Sequence, residues 1–250
     1  MSTEMLDYRF SHAGNGSWSD GYDDKLFSPG SYDFHVWQQE KHLITHLIGK
    51  WVHWRDRYLD FACGTGRILT HVEDHFSLSV GLDISLTMLT QAHSKVKNAI
   101  LVCGDATRFP ELLSGTFDCI TAWRFFLNAQ PQLREEAMAF LASKLNSTES
   151  VLMFNVHGNR YSSRWLMVAV NHLRGRNNNT MSYSEVQELI ERHGLEIVDC
   201  HGVNFLDKAF FNYMPRKLWS LIENASSRFN CLRKFSVYLV FVCRKRKQCI

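Results

Sequence analysis

Apolar residues occur along the chain in short blocks that alternate with stretches of helical spacing. The blocks predict buried strands over residues 58–61, 79–82, 99–102, 117–122 and 150–155. Helices are predicted over residues 67–75 and 134–145, and Ser85 is positioned to cap another helix after the second strand. Strands and helices that alternate in this way indicate a parallel sheet covered on both faces.

The two ends of the chain depart from this alternation. Residues 1–35 are rich in glycine, serine, aspartate and aromatic residues, which predicts a loop-rich arm, whereas residues 36–51 have the apolar spacing of a helix. Beyond the fifth strand the pattern predicts helices over 162–173, from Ser182 or Ser184 to Gly194, and over 214–228, and strands over 195–205 and 236–243. We therefore predict an α/β fold: a Rossmann-like, seven-stranded, mostly parallel sheet with helices on both faces and an antiparallel C-terminal edge strand.

Composition and charge fit one ordinary globular domain. The chain has 250 residues, 45% of them hydrophobic, which is enough for a single α/β core. The net charge is only +3, and we interpret the basic run at residues 244–247 as a solvated tail rather than a phosphate or membrane contact. The N-terminus does not resemble a signal peptide, no apolar run is long enough to cross a membrane, and the seven cysteines include no C-x-x-C pair. We expect a reducing, cytoplasmic location.

A glycine-containing segment, Asp60–Gly66, lies where the first strand turns into a helix. Gly64 and Gly66 allow a sharp turn and a close approach of the backbone to a ligand. Asp83 ends the second strand, where a carboxylate can accept both hydrogen bonds of a ribose diol, and Asp105 after the third strand can accept from an adenine amino group. These positions predict a nucleoside site at the carboxyl edge of the sheet.

A nicotinamide-dinucleotide site is the main competitor, because it uses the same topology. Its G-x-G-x-x-G pattern is absent, since Arg67 stands in place of the third glycine. Asp60 is a poor neighbour for a pyrophosphate but a suitable one for an ammonium group. The loop therefore favours a nucleoside joined to an amino acid over a dinucleotide.

Four segments resemble the sequence motifs of class I S-adenosylmethionine-dependent methyltransferases of the small-molecule type. Asp60–Gly66 resembles their first motif, although the usual first glycine is Ala62 here. The segments that are similar to the second, third and fourth motifs are 81–85 followed by Met88 and Leu89, 104–106, and 117–120. Together they cover roughly residues 55–155 in the order and spacing of the family.

The resemblance implies S-adenosyl-L-methionine as the cofactor and gives each matching residue a role. Asp60 orders the methionine end, Asp83 holds the ribose hydroxyls, and Ile84 packs on the adenine. By analogy with small-molecule methyltransferases, Tyr22 or Tyr32 of the N-terminal arm contacts the methionine end. The full set of predicted cofactor residues is Tyr22, Tyr32, Asp60, Ala62, Cys63, Gly64, Gly66, Asp83, Ile84, Met88, Asp105, Ala106 and Trp123.

Candidate acceptor-side residues follow the fourth and fifth strands. We predict His157 as a general base, because a histidine titrates near neutral pH, with His35 of the arm as a second candidate. A purely local hydrogen-bonding role for His157 stays open. Arg124, Asn128 and Asn155 are the predicted acceptor-binding residues.

The same motifs limit the class of acceptor. No D/N-P-P-Y/F segment follows the fourth strand, no proline precedes a cysteine, and no basic stripe with aromatic residues appears, so a nucleic-acid acceptor is not expected. No carboxylate cluster for a metal follows the fourth strand. We expect metal-free transfer to an oxygen or nitrogen of a small molecule or sugar; a protein or peptide acceptor, or a non-catalytic cofactor-binding subunit, is the alternative.

These expectations give one domain over residues 1–250. Residues 1–52 form an arm and helix that cover the site, residues 53–158 form the cofactor-binding core, and residues 159–250 carry the insertions on the acceptor side. The sequence leaves the oligomeric state open.

Overall fold

The computed structural model describes residues 8, 9, 23, 26–173, 175, 179–227 and 229–247. Its strands are β1 (Arg57–Phe61), β2 (Leu78–Asp83), β3 (Ile100–Cys103), β4 (Cys119–Ala122), β5 (Val151–Val156), β6 (Leu195–Val203) and β7 (Tyr238–Lys245). Its α-helices are α1 (Tyr32–Trp51), α2 (Arg67–Val72), α3 (Leu86–His93), α4 (Pro131–Lys144), α5 (Arg164–Leu173), α6 (Tyr183–Arg192), α7 (Lys208–Tyr213) and α8 (Arg216–Ser227). Short 3-10 turns occupy Glu73–His75, Pro110–Leu112 and Asn230–Phe235.

The strands form one seven-stranded sheet in the order β3-β2-β1-β4-β5-β7-β6. The pairs from β3 to β5 are parallel, whereas β7 is antiparallel to both β5 and β6. This arrangement confirms the predicted fold class, with β7 inserted between β5 and the edge strand β6. Because β1, β2, β4 and β5 are parallel, their carboxyl ends meet at one edge of the sheet.

Side chains alternate between two hydrophobic clusters on the two faces of the sheet. In β5, Leu152 and Phe154 belong to one cluster, and Val151 and Met153 belong to the other. The second cluster includes Ile44 and the neighbouring apolar residues of α1. Strand residues buried on both sides explain why the sequence shows continuous apolar blocks rather than alternation.

The helix boundaries differ from the sequence prediction at three places. Helix α1 begins at Tyr32, before the predicted start at 36, because the Ser31 hydroxyl accepts a hydrogen bond from the Phe34 N–H at 3.0 Å. Helix α4 begins at Pro131 rather than 134, since proline is favoured in a first turn. The helix predicted over 214–228 is present as α8 and begins at Arg216; the pattern missed the short helix α7, which Pro215 separates from α8.

The ends of the chain also correct two expectations. Tyr8, Arg9, Asp23 and Leu26 have helical backbone, so the arm is not a loop throughout. The basic run at 244–247 is not a free tail, because β7 extends through Lys245. Arg244 and Lys247 form ion pairs with Glu149, and Arg246 forms one with Glu191. No helix in the described part of the chain is both long and apolar enough to cross a membrane.

Candidate active site

A cavity of about 250 Å³ lies at the carboxyl edge of the sheet, beside the glycine-containing loop. The predicted site residues that line it are Asp60, Ala62, Cys63, Gly64, Asp83, Ile84, Met88, Asp105, Ala106, Trp123, Arg124, Asn128 and His157. Four others, Gly66, Asn155, Tyr32 and His35, lie outside the lining. Tyr22 falls outside the described residues.

The loop between β1 and α2 follows a left-handed backbone path. Ala62, Gly64 and Gly66 have φ angles of 55°, 55° and 75°. Left-handed backbone is easy for glycine and costs a residue with a Cβ about 1–2 kcal/mol, so Ala62 is mildly strained. A Cβ at Gly66 would come within 3.0 Å of the Ala92 Cβ, so Gly66 lets α2 pack closely against α3 instead of lining the cavity.

Asp60 presents a buried carboxyl to the cavity. Its Oδ1 accepts a hydrogen bond from the Thr121 hydroxyl at 2.7 Å, whereas its Oδ2 is buried and has no hydrogen-bond partner among the described residues. Burial raises the pKa of Asp60 to about 7, although the Thr121 hydrogen bond, the nearby Leu69 N–H and the Arg67 charge oppose the shift. A cationic hydrogen-bond donor in the cavity would satisfy Oδ2 and favour the ionised carboxylate.

Asp83 ties the glycine loop to the end of β2. Its Oδ2 accepts from the Gly64 N–H at 2.7 Å, and its Oδ1 accepts from the Ser85 N–H at 2.8 Å. These contacts fix the orientation of the carboxylate at the cavity wall.

Asp105 is held by its own loop and by the N-terminal arm. Its Oδ1 accepts from the Thr107 N–H at 3.0 Å, and its Oδ2 forms an ion pair with the Arg9 Nε at 2.7 Å. Burial alone would raise the pKa of Asp105, but Thr107 and Arg9 outweigh it and hold the pKa below its usual value. Arg9 also pairs with Glu136, so the arm closes the cavity at the Asp105 end.

Asp23 and Phe27 of the arm contact other residues that line the cavity. Asp23 accepts a hydrogen bond from the Thr65 hydroxyl at 3.0 Å and pairs with Lys95. The Phe27 ring lies 4.5 Å from the Arg67 guanidinium and 5.2 Å from that of Arg124. The described arm residues therefore contact both ends of the cavity.

Glu40 of α1 is a fully buried carboxylate that joins three elements behind the cavity. Its Oε1 accepts from the Trp123 Nε1 at 2.9 Å and from the Asn155 Nδ2 at 2.8 Å, and its Oε2 lies 3.4 Å from the Arg67 Nη1. The Asn155 Oδ1 in turn accepts from the Arg124 N–H at 2.7 Å. Asn155 thus supports the wall that carries Trp123 and Arg124 without reaching the cavity.

Arg124 and His157 form the end of the cavity near β4 and β5. Arg124 has a φ of 57°, and its Nη2 donates to the Asp33 Oδ1 at 2.9 Å. Burial, with the charges of Arg124 and Arg164 nearby, holds the pKa of His157 well below its usual value. The His157 Nδ1 is buried without a hydrogen-bond partner among the described residues, so a neutral imidazole is available to a ligand there.

Tyr32 and His35 belong to an aromatic cluster away from the cavity. The Tyr32 hydroxyl donates to the Leu206 carbonyl at 3.2 Å, and its ring contacts Phe211. The His35 ring packs 5.3 Å from Phe211 and 5.8 Å from Trp219. The structure does not bring either residue to the predicted site.

The sequence prediction omitted several residues that shape the cavity. Tyr8, Arg9 and Arg67 line it, and Glu40 supports its wall. Tyr8 and Arg9 belong to a segment without periodicity, so nothing local marked them. Glu40 lies within an amphipathic helix, where a charged residue is usually exposed, so the sequence did not indicate its burial. Its hydrogen bonds to distant residues reveal that burial.

Residues 59–147, from β1 to just beyond α4, match a protein-family model described as a methyltransferase domain. A search of curated proteins found no significant match.

Solved structures resemble almost the whole chain. The magnesium protoporphyrin IX methyltransferase of Synechocystis PCC 6803 with bound SAH has a TM-score of 0.67 at 13% identity, covering 96% of this chain and 100% of its own. A chain of the complex between the Haloferax volcanii Trm112 methyltransferase activator and a methyltransferase has a TM-score of 0.61 at 18% identity, with coverages of 93% and 97%. An S-adenosylmethionine-dependent methyltransferase of Clostridium acetobutylicum has a TM-score of 0.62 at 15% identity, with coverages of 92% and 98%. At such identities the likeness is one of fold.

Proposed function

Because residues 59–147 match a methyltransferase-domain model and the chain has the fold of class I methyltransferases, we propose that this protein transfers a methyl group from S-adenosyl-L-methionine to an oxygen or nitrogen of a small molecule or sugar. The family-model match and the shared fold support the predicted methyltransferase class and its cofactor, S-adenosyl-L-methionine. The acceptor, the site residues and a cytoplasmic location are our proposals.

One observation carries the cofactor assignment to this cavity: Asp60 Oδ2 is a buried acceptor atom without a partner among the described residues. An amino-acid ammonium group fits it, because a cation beside a buried carboxylate relieves the cost of ionising it. We assign Asp83 to the ribose diol because its carboxylate lines the cavity at the end of β2, and Ile84 and Met88 supply apolar surface for the adenine. Asp105 is already engaged by Arg9 and Thr107, so we assign it to shaping the adenine end.

When bound, S-adenosyl-L-methionine supplies a methyl group on a positively charged sulfur, which becomes neutral after transfer. The contribution of the chain is orientation of the reacting groups within the cavity that Arg9 and Trp123 line. Phe27 of the arm packs on the guanidinium of Arg67, another lining residue. An acceptor hydroxyl or ammonium must lose a proton. We assign acceptance of this proton to the His157 Nδ1, which has no hydrogen-bond partner among the described residues. Burial keeps the ring neutral, and the lowered pKa also makes it a weaker base than an exposed histidine.

Calorimetric titration with S-adenosylhomocysteine tests the cofactor site. We expect Asp83→Ala to weaken binding at least about tenfold, since a charged hydrogen bond contributes roughly 1.5–3 kcal/mol. Asp74→Ala is the matched control, because Asp74 is exposed at the protein surface and pairs only with Lys97 among the described contacts. Unchanged affinity in Asp83→Ala would contradict the proposed site.

Turnover tests the acceptor and the role of His157. Formation of S-adenosylhomocysteine with a panel of amines, phenols and sugars is the expected result for a small-molecule enzyme. Turnover with peptides alone would support a protein methyltransferase, and cofactor binding without any turnover would support a partner subunit.

The role of His157 is tested once an acceptor that works is known. His157→Ala should then lower kcat by about a hundredfold or more, as for loss of a general base. Equal kcat in the variant would exclude His157 as the base.

A further inference from the structure

Exposed large apolar side chains are concentrated in two segments, 159–173 and 208–235. Those segments hold Tyr161, Trp165, Val170, Leu173, Tyr213, Leu218, Leu221, Phe229 and Phe235. The rest of the described chain contributes Trp54, Leu86, Ile100, Phe109 and Leu112. Single exposed apolar residues are ordinary, whereas a concentration of them marks an interaction surface. We call the described residues of 159–173 and 208–235 the insertion surface.

The two segments lie next to each other at the edge of the sheet that holds the cavity. One follows the end of β5, and the other lies between the end of β6 and the start of the antiparallel β7. The Ser163 hydroxyl donates to the Phe205 carbonyl at 2.9 Å, and Glu223 accepts from the Phe205 N–H at 2.9 Å. Helices α5 and α8 are therefore connected through one short stretch of chain.

The insertion surface is also strongly basic. Residues 159–173 and 208–235 contain eight lysines and arginines and one acidic residue, Glu223, in a chain whose net charge is only +3. Glu223 points inward, since its carboxylate accepts the backbone N–H groups of Phe205 and Leu206. Three of the cations are neutralised by acids outside these segments: Lys208 pairs with Asp33, Arg160 with Glu185 and Arg164 with Asp207. Among the described contacts no ion pair involves Arg216, Lys217, Arg233 or Lys234, so the positive charge that faces outward comes from these four side chains.

We propose that the insertion surface docks on an anionic phospholipid membrane. Helices that lie in a membrane interface are typically amphipathic and combine lysine and arginine with exposed tryptophan, tyrosine and leucine. Trp165 and Leu173 are 60% and 87% exposed on α5, and Leu221 is 66% exposed on α8 beside Lys217. A second copy of the chain is disfavoured as the occupant, because two positive surfaces repel each other. This docking is independent of the proposed methyl transfer and is measured without it.

Co-sedimentation of the full chain with vesicles tests the proposal. We expect binding to vesicles that contain phosphatidylglycerol, little binding to pure phosphatidylcholine, and weaker binding as salt concentration rises. Leu173→Ser with Leu221→Ser, and separately Lys217→Glu with Lys234→Glu, should each lower the partition coefficient at least about tenfold. These side chains are exposed, so the thermal unfolding of both double variants should match that of the wild type.

Matched controls lie elsewhere on the surface. Trp54→Ser removes a side chain that is 67% exposed, and Lys97→Glu reverses an exposed charge, and both should bind vesicles like the wild type. Absence of wild-type binding to anionic vesicles, or equal binding by the insertion-surface variants, overturns the proposal. Binding to polyglutamate without binding to anionic vesicles also overturns it, since an acidic protein would then be the partner.

Discussion

Asp60 shows how the surroundings of one carboxyl connect ligand binding to pH. Burial raises its native pKa to about 7, whereas in an unfolded chain the pKa is near 3.8. The native state without ligand therefore holds a proton that the unfolded state has released, and its stability falls as pH rises between those two values. A cation next to Oδ2 reverses the preference by favouring the ionised form.

We expect the affinity for S-adenosylhomocysteine to increase as pH rises through about 7, because Asp60 must then release its proton less often on binding. Asp60→Asn should weaken binding at pH 8 by roughly 10–100-fold and flatten this pH dependence. Calorimetry in buffers of different ionisation enthalpy measures the released proton. Asp74→Asn provides the control, and an unaltered pH profile in Asp60→Asn would argue against an ammonium group at Asp60.

At the scale of secondary-structure elements, the site depends on how α1 is joined to the sheet. Glu40 receives hydrogen bonds from Trp123 after β4 and from Asn155 in β5, and it is fully buried. Removing the carboxylate would leave two buried donors without their acceptor, which is costly in a dry interior.

Glu40→Ala should lower the free energy of unfolding by about 3 kcal/mol, and it should weaken cofactor binding because the Trp123 and Arg124 wall loses its support. Glu40→Gln should cost less, since its amide oxygen still accepts from Trp123 and Asn155. Urea unfolding measures the stability, with the exposed Gln39→Ala on the same helix as control. Similar stability of Glu40→Ala and Gln39→Ala would show that the buried contacts contribute little.

At the scale of the whole molecule, differences in burial predict different thiol reactivities for the described cysteines. Cys119 and Cys243 are fully buried on central strands, and Cys103 is exposed at the end of the edge strand β3. Burial raises the pKa of all three thiols, most strongly in the core, which disfavours the reactive thiolate.

Alkylation at neutral pH, followed by mass spectrometry of peptides, should label Cys103 first among these three residues. Cys119 and Cys243 should react only in denaturant, because the sheet must open to expose them. The same reaction in urea is the control that every thiol can be modified. Early labelling of Cys119 in the native protein would contradict its place in the core.

The sequence alone determined the alternating core and the glycine loop. Both depend on local signals: apolar blocks mark buried strands such as β1, and Gly64 and Gly66 are needed where the backbone turns left-handed. Asp83 was found in the same way, since a residue at the end of a parallel strand lies at the binding edge whatever the rest of the chain does.

Only the tertiary structure decided the partners of charged groups and the course of the arm. Glu40 meets Trp123 from 83 residues away, and Arg9 meets Asp105 from 96 residues away, and neither pairing has a local signal. The same limit explains Tyr32 and His35, which pack with Phe211 instead of reaching the cavity. Local periodicity reports which face of an element is apolar, but the partner of a polar atom depends on which distant elements the fold brings together.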